Sequence, residues 1–356
     1  MGLELGLRVR ALLVSFWVLI LMLLSTAAAL AESPLPVEWD IPKGHFYTQA
    51  NGFPVGSSPS GFSITDDGDV LFWTEFRRLG GMLGIGYPVS RRFLWNGFVS
   101  QATQKGVLQW RPDQKKAWFV NVFDLLHDAG KDDWLALVRS VPKQLPSDFD
   151  KGKSWNDVIV GRRALLNDFP KISARYESAA DPLSMFGLPT SRVQDMGNAY
   201  VVRLQRTVIQ QWKVDVPWAK SGDVSIANGG DVAKEMGLLP KNALYPHFAP
   251  ENTWKMSTLY RVKGISTWYG QQYHGRVMAN GQRYDMNDPT TVASNMFPFG
   301  TKLKVTRAKT GASITVVVKD TGDFSYPIVV DLSLAAFARL ADPREGVMEV
   351  SVEVAP

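Results

Sequence analysis

One carboxylate near the C-terminus is placed to do chemistry. Asp320 sits where the apolar run Ile314 to Val318 ends, a position from which a β structure can present a side chain into a surface groove. Partial burial there would raise its pKa towards neutrality, so that one group could give a proton and later take one. The same Asp can instead bond nearby backbone N–H groups before Gly322, as turn carboxylates do, and the residue types alone leave both roles open. Asp331, directly ahead of Leu332-Ser333, reads as structural, satisfying N–H groups at a helix start. Tyr269 and Tyr284 carry hydroxyls and ring faces that suit hydrogen bonding or stacking on a sugar, and equally suit core packing. Trp268 reads as packed.

Other reaction classes are narrowed by what the chain lacks. With no Cys there is no disulfide, thiol nucleophile, zinc-thiolate site or iron–sulfur cluster. His45, His127, His247 and His274 lie far apart, without a His-Glu-x-x-His spacing, so no metal site is expected. No phosphate-cradling Gly loop precedes a helix and no Gly-x-Ser-x-Gly elbow occurs. Nucleotide chemistry and the common serine-hydrolase route are therefore unsupported, and no cofactor is expected.

The elements that must hold these residues follow from periodicity. Strands are predicted at Gly264 to Tyr269, Thr301 to Arg307, Ser313 to Lys319 and Ile328 to Val330, with Thr310-Gly311 as a hairpin turn. Ser333 caps a helix predicted to run through Leu340, and Met348, Val350, Val352 and Val354 alternate with Glu349, Ser351 and Glu353 in a closing strand. About six short strands with one helix fit a small closed barrel better than an open sheet with unpaired edges.

The rest of the 356 residues, 45% hydrophobic and 21% charged, is long enough for further domains. Arg8 and Arg10 precede an apolar run, Ala11 to Leu24, and a small-x-small site, Ala29-Leu30-Ala31. Residues 1–31 therefore read as a signal peptide cleaved before Glu32, with an uncleaved anchor as the alternative, and the protein is expected to be secreted and associated with the cell wall. Residues 32–69, rich in Pro, Gly and Ser, read as an extended lead-in.

An internal repeat follows. Gly86-Tyr87-Pro88-Val89-Ser90-Arg91, Gln104 and Val107-Leu108-Gln109-Trp110 return as Gly187-Leu188-Pro189-Thr190-Ser191-Arg192, Gln205, Val208-Ile209-Gln210 and Trp212. Two related small α+β modules are expected at 70–141 and 161–237, with linkers at 142–160 and 238–256. The degenerate Gly84-Ile85-Gly86-Tyr87-Pro88 and Phe186-Gly187-Leu188-Pro189 strings resemble the LGFP-type repeats of secreted bacterial cell-wall proteins. That resemblance implies binding of wall polymer through aromatic faces; Trp110 and Trp212 can equally be core residues.

Residues 257–356 carry a more specific likeness. Ser266-Thr267-Trp268-Tyr269-Gly270, His274-Gly275-Arg276, Ala279-Asn280-Gly281-Gln282-Arg283-Tyr284-Asp285, Phe297-Pro298-Phe299-Gly300-Thr301, Lys319-Asp320-Thr321-Gly322-Asp323-Phe324 and Val330-Asp331-Leu332-Ser333 occur in order. Together they resemble the rare lipoprotein A family. The resemblance implies a six-stranded double-psi β-barrel, shared with expansins, within a fold that is mainly β with some α. It further implies lytic transglycosylase activity on peptidoglycan, with Asp320 as acid and base and the muramic 6-hydroxyl as nucleophile, giving 1,6-anhydro ends.

Within the matched strings, Tyr269, Trp268, His274, Tyr284, Gln282 and Ser294 are candidate substrate contacts and Asp331 a supporting residue. Gln282 stands where the family has Glu, and Ser294 where it has His. These departures favour the alternative of a non-catalytic, expansin-like protein that binds or loosens polysaccharide. Peptidoglycan or another wall glycan is the expected partner, which a net charge of +5 suits without singling out nucleic acid.

Overall fold

The computed structural model describes residues 37–53, 60–247, 261–324 and 327–355. The expected signal segment and residues 248–256 of the expected second linker lie outside them. Residues 37–69, apart from 54–59, were expected to be extended and instead fold, with Val70 and Leu71, as a four-stranded antiparallel sheet: β1 (Glu38–Ile41), β2 (Gly44–Tyr47), β3 (Phe62–Asp67) and β4 (Val70–Leu71). Both faces of β3 are covered, so Ser63 and Thr65 are buried beside Phe62 and Ile64. Buried polar residues erase the polar–apolar alternation by which a strand is read from sequence.

The repeat becomes two four-stranded sheets. The first contains β5 (Phe93–Trp95), β6 (Phe98–Thr103), β7 (Gly106–Arg111) and β8 (Lys116–Phe119). The second contains β9 (Gln194–Asp195), β10 (Ala199–Arg203), β11 (Val208–Trp212) and β12 (Val224–Ile226). Each is entered through the same corner. Gly86 and Gly187 adopt φ of +79° and +74°, and the Gln104 and Gln205 side chains lie where a Cβ would project. Gln104 Oε1 accepts the Tyr87 N–H at 3.0 Å, and Gln205 Oε1 accepts that of Leu188 at 2.9 Å. Thus Gly is required for a left-handed backbone with no room for a side chain, and Gln for the bond that closes the corner.

The two halves also exchange helices. The Phe123 N–H, in the helix Val122–Asp128 that follows the first sheet, donates to Gln205 O at 3.2 Å. Reciprocally, the Gly230 N–H of the helix Gly229–Glu235, which follows the second sheet, donates to Gln104 O at 2.9 Å. Val107 and Phe123 share one core with Val201, Val208 and Val232. Trp110 is buried in a neighbouring cluster against Phe72, leaving no face for a polymer. Trp212 is partly buried and bonds Ser225 Oγ at 3.0 Å. The expected linker at 142–160 is irregular only at first, since Ser154 caps a helix at Trp155–Arg163.

The C-terminal strands are β13 (Val262–Tyr269), β14 (Thr291–Ala293), β15 (Lys302–Arg307), β16 (Ser313–Asp320), β17 (Ile328–Ser333) and β18 (Met348–Val354). They pair in the order β13-β17-β14-β16-β15-β18 and return to β13 as a closed barrel. β13/β17 and β14/β16 are parallel, and the other four pairings antiparallel. Leu303, Val305, Val316, Val318, Val350 and Val352 fill the interior, as the period of two dictates. The helix is Leu334–Ala338, shorter than expected, with Ser333 Oγ accepting the Ala336 N–H at 3.1 Å.

Candidate active site

The short strand β14 organises the site. Its last residue, Ala293, pairs with Asp320 of β16 on one side and with Asp331 of β17 on the other. Two strand spacings separate the Asp Cα atoms by about 10 Å, with a methyl group between them. Register places both carboxyls at one groove, because directly paired residues project to the same face of a sheet.

Asp320 Oδ1 accepts the backbone N–H of Ala279 at 2.8 Å and of Thr321 at 2.9 Å. Burial pushes its pKa up to about 7, and the nearby Asp331 charge adds to the rise against the two N–H donors. The side chain still borders the groove and is only partly covered. Asp331 Oδ1 accepts the Thr267 hydroxyl at 2.7 Å, and burial lifts its pKa to about 6. Asp331 does not cap the helix as expected. β17 continues through Ser333, which takes the cap and leaves Asp331 on the strand facing the groove.

The groove encloses about 710 Å³ and is lined by Thr267, Tyr269, Tyr273, Ala279, Asp320 and Asp331, among others. Burial and the neighbouring Asp320 charge hold the Tyr269 hydroxyl firmly protonated, and its buried oxygen has no hydrogen-bond partner. An uncommitted phenol beside the Asp320 carboxyl is a donor available to a ligand. The loop after Asp320 is held at Gly322 O, which accepts Asn295 Nδ2 at 2.7 Å and Asn242 Nδ2 at 2.8 Å.

The remaining predicted residues separate from the acid. Tyr284 stacks on Tyr269, with ring centroids 4.1 Å apart, and donates its hydroxyl to Tyr269 O, so it supports the groove from behind. Trp268 packs on the barrel core and bonds Pro343 O at 3.0 Å. His274 Nδ1 accepts the Met286 N–H at 3.2 Å, outside the groove lining. Gln282 is exposed, with Oε1 accepting Asn280 Nδ2 at 3.0 Å. Ser294 is fully buried and its Oγ accepts the Met296 N–H at 3.2 Å. Neither Gln282 nor Ser294 lines the groove in this chain. Thr267, Tyr273 and Asn242 escaped the sequence reading. Thr267 was legible from its place two residues before Tyr269, on the same strand face, whereas Asn242 lies far away in the chain.

A closed six-stranded barrel with a partly covered carboxyl at the mouth of a polar groove fits the double-psi architecture expected from the sequence. Comparison with known proteins agrees: residues 261–352 match the family model described as lytic transglycolase, so this part of the chain is a double-psi β-barrel domain similar to those of rare lipoprotein A proteins. The match lies outside both repeat modules. A protein of Synechocystis named "Probable endolytic peptidoglycan transglycosylase RlpA" is 39% identical over 99 residues, 28% of this chain and 30% of its own length. The "Endolytic peptidoglycan transglycosylase RlpA" of Pseudomonas aeruginosa is 33% identical over 142 residues, 40% of this chain and 39% of its own. The chain thus spans well under half the length of those two relatives. A further Synechocystis protein, the uncharacterised ssl3177, is 41% identical over 87 residues, 24% of this chain and 91% of that protein.

Proposed function

We propose that the protein is an extracytoplasmic lytic transglycosylase acting on peptidoglycan glycan strands, with Asp320 as the single acid and base. The supporting observation is a carboxyl that reaches a groove yet holds its proton up to about pH 7. In the reaction, Asp320 gives its proton to the glycosidic oxygen as the bond from that oxygen to the muramic C1 breaks. The muramic 6-hydroxyl oxygen forms the new bond to C1, and its proton passes to the Asp320 carboxylate. No water is consumed, the acid is regenerated, and the products are a 1,6-anhydromuramic end and a free 4-hydroxyl on the leaving sugar. Asp331 has a supporting part here: its charge helps hold the proton on Asp320, behind the larger effect of burial.

The test is a digest of purified glycan strands analysed by mass spectrometry. Anhydro ends are expected from the native chain, and reducing ends formed with uptake of water would overturn the intramolecular route. Names of relatives, the groove and the acid support this reading together. The two repeat modules are proposed to hold the protein on the wall, and the leader at 1–31 to carry it there.

A further inference from the structure

The two repeat halves meet over a second cleft, which shares no lining residue with the barrel groove. It encloses about 560 Å³, within the roughly 300–1,000 Å³ usual for small-ligand sites. In β8, Ala117 and Phe119 enter the core, so alternation turns Lys116 and Trp118 to the opposite face. The Arg206 guanidinium lies over the Trp118 ring, 5.7 Å from its centroid. Arg175, on the helix Pro170–Glu177, donates from Nη1 to Ser178 Oγ at 2.7 Å, and both residues line the cleft. The repeat itself gathers more positive charge. Lys105 and Arg206 follow the corner residues Gln104 and Gln205, and each reaches back to the chain ahead of its corner glycine. Lys105 Nζ donates to Leu83 O at 2.7 Å, and Arg206 Nη1 to Ser184 O at 2.6 Å. Both line a recess that adjoins the cleft at Gly84, Phe119 and Met185. Thr207 also lines the recess; it is 4% exposed, and its Oγ1 has no hydrogen-bond partner.

Negative charge is scarce against this. Arg78 is matched by Glu75, 2.8 Å away. Asp181, the one carboxylate among the described lining residues of the cleft, is taken up by the Ser184 N–H at 3.0 Å and by the Ser184 hydroxyl. Lys116 and Arg175 form no ion pair within the described residues. Burial lowers the pKa of Arg175, Lys105 and Arg206, and the Arg175 charge adds to the fall at Lys105. Like charges drawn together and partly desolvated weaken a fold until an anion offsets them. We propose that this cleft binds an acidic saccharide, its oxyanion on Arg175 and its ring against Trp118. A guanidinium fork takes a carboxylate or phosphate through paired N–H groups, and the apolar face of a sugar ring packs on an indole. The site and its ligand class rest on the reading that the repeat modules hold the protein on the wall, and give that reading a place in the structure.

The experiment titrates the full chain by calorimetry with hexagalacturonate, phosphorylated mannohexaose and neutral mannohexaose. An acidic probe is expected to bind about tenfold more tightly than the neutral one, the scale of one hydrogen bond to a charged group. Whichever acidic probe binds better tells whether the natural anion is a carboxylate or a phosphate. Arg175→Gln should remove that tenfold and leave the neutral probe unchanged, with Arg175→Lys keeping part of it. Lys116→Gln alters an exposed side chain, so it tests the charge without disturbing the fold; a loss of about threefold on acidic probes is expected. Trp118→Ala should weaken acidic and neutral probes alike, by about fivefold. Equal binding of acidic and neutral saccharides overturns the proposal, as does native affinity in both Arg175→Gln and Lys116→Gln. Inorganic phosphate that binds as tightly as the phosphorylated saccharide also overturns it, since the sugar would then contribute nothing. Retention on isolated cell-wall sacculi is measured in parallel. If acidic probes bind through Arg175 while sacculi fail to hold the chain, the wall-holding reading falls and the site stands. Sacculi that hold the chain while no acidic probe binds leave that reading in place and overturn the site.

Discussion

Enclosed charge is handled in opposite ways in the two parts of the molecule. Between the repeat halves, Arg203 is wholly buried and donates to Asp132 Oδ1 at 2.7 Å and to Phe123 O. Despite burial, Asp132 is pulled below the usual carboxylate range by Arg203 and by His127, 2.7 Å away. In the barrel, the hydrogen bonds to the Asp320 and Asp331 side chains within the described residues come from no cation, only from two N–H groups and one hydroxyl, and both carboxyls are pushed upward. Opposite charges on distant segments tie the fold together. Like charges across a strand weaken it and leave a proton ready for transfer.

Substitutions can break this contrast at either end. The largest effect is expected from Asp320→Asn, which should lower strand cleavage about a thousandfold, within the range of general acid–base catalysis. Release of anhydro ends measures it, and a loss under tenfold would place the acid elsewhere. Next, Arg203→Ala should cost about 3 kcal/mol in denaturant unfolding, since it leaves Asp132 without its main partner. A cost below about 1 kcal/mol would mean that the pair contributes no more than a surface one.

The same contrast predicts how stability depends on pH. The folded pKa of Asp320, about 7, lies above that of the unfolded chain, so its favourable contribution is complete below about pH 4 and disappears as pH rises through 7. Asp320→Asn removes this loss. It should match the native chain at pH 4 and exceed it at pH 8 by on the order of 2 kcal/mol, after allowing for water in the groove. Equal melting curves at pH 8 would show that the native acid is already ionised without penalty. The smallest effect belongs to Thr267→Val. Removing the hydroxyl that Asp331 accepts should keep Asp331 protonated to higher pH, reduce its repulsion of Asp320, and shift the alkaline limb of the rate profile down by about half a unit. An upward shift would reverse the assigned coupling.

Much of the barrel was legible because its interior is filled by strict alternation: Leu303 and Val305, Val316 and Val318, Val350 and Val352 each point inward between exposed or half-buried neighbours. The strand that matters most for the site was not. Thr291–Ala293 is three residues long, buried throughout, and paired on both sides by segments well separated from it in sequence. No local period can announce such a strand, and with it went the recognition that Asp320 and Asp331 flank one alanine. Asp331 was misread for a related reason. A carboxylate two residues before a serine cap looks like part of the helix start until the strand is seen to extend through both. The Gly86/Gln104 and Gly187/Gln205 corners left a readable repeat because each is a local bond, whereas the crossing from Phe123 to Gln205 left none.

That crossing, with its counterpart from Gly230 to Gln104, makes the paired halves mutual hostages. A protease that nicks the exposed chain near Asp148 would sever their covalent connection without releasing either from the other, since each retains the other's helix. Deleting one half by truncation is a different insult: it strips the survivor of half its apolar interior and should yield an aggregating fragment in place of a smaller working module.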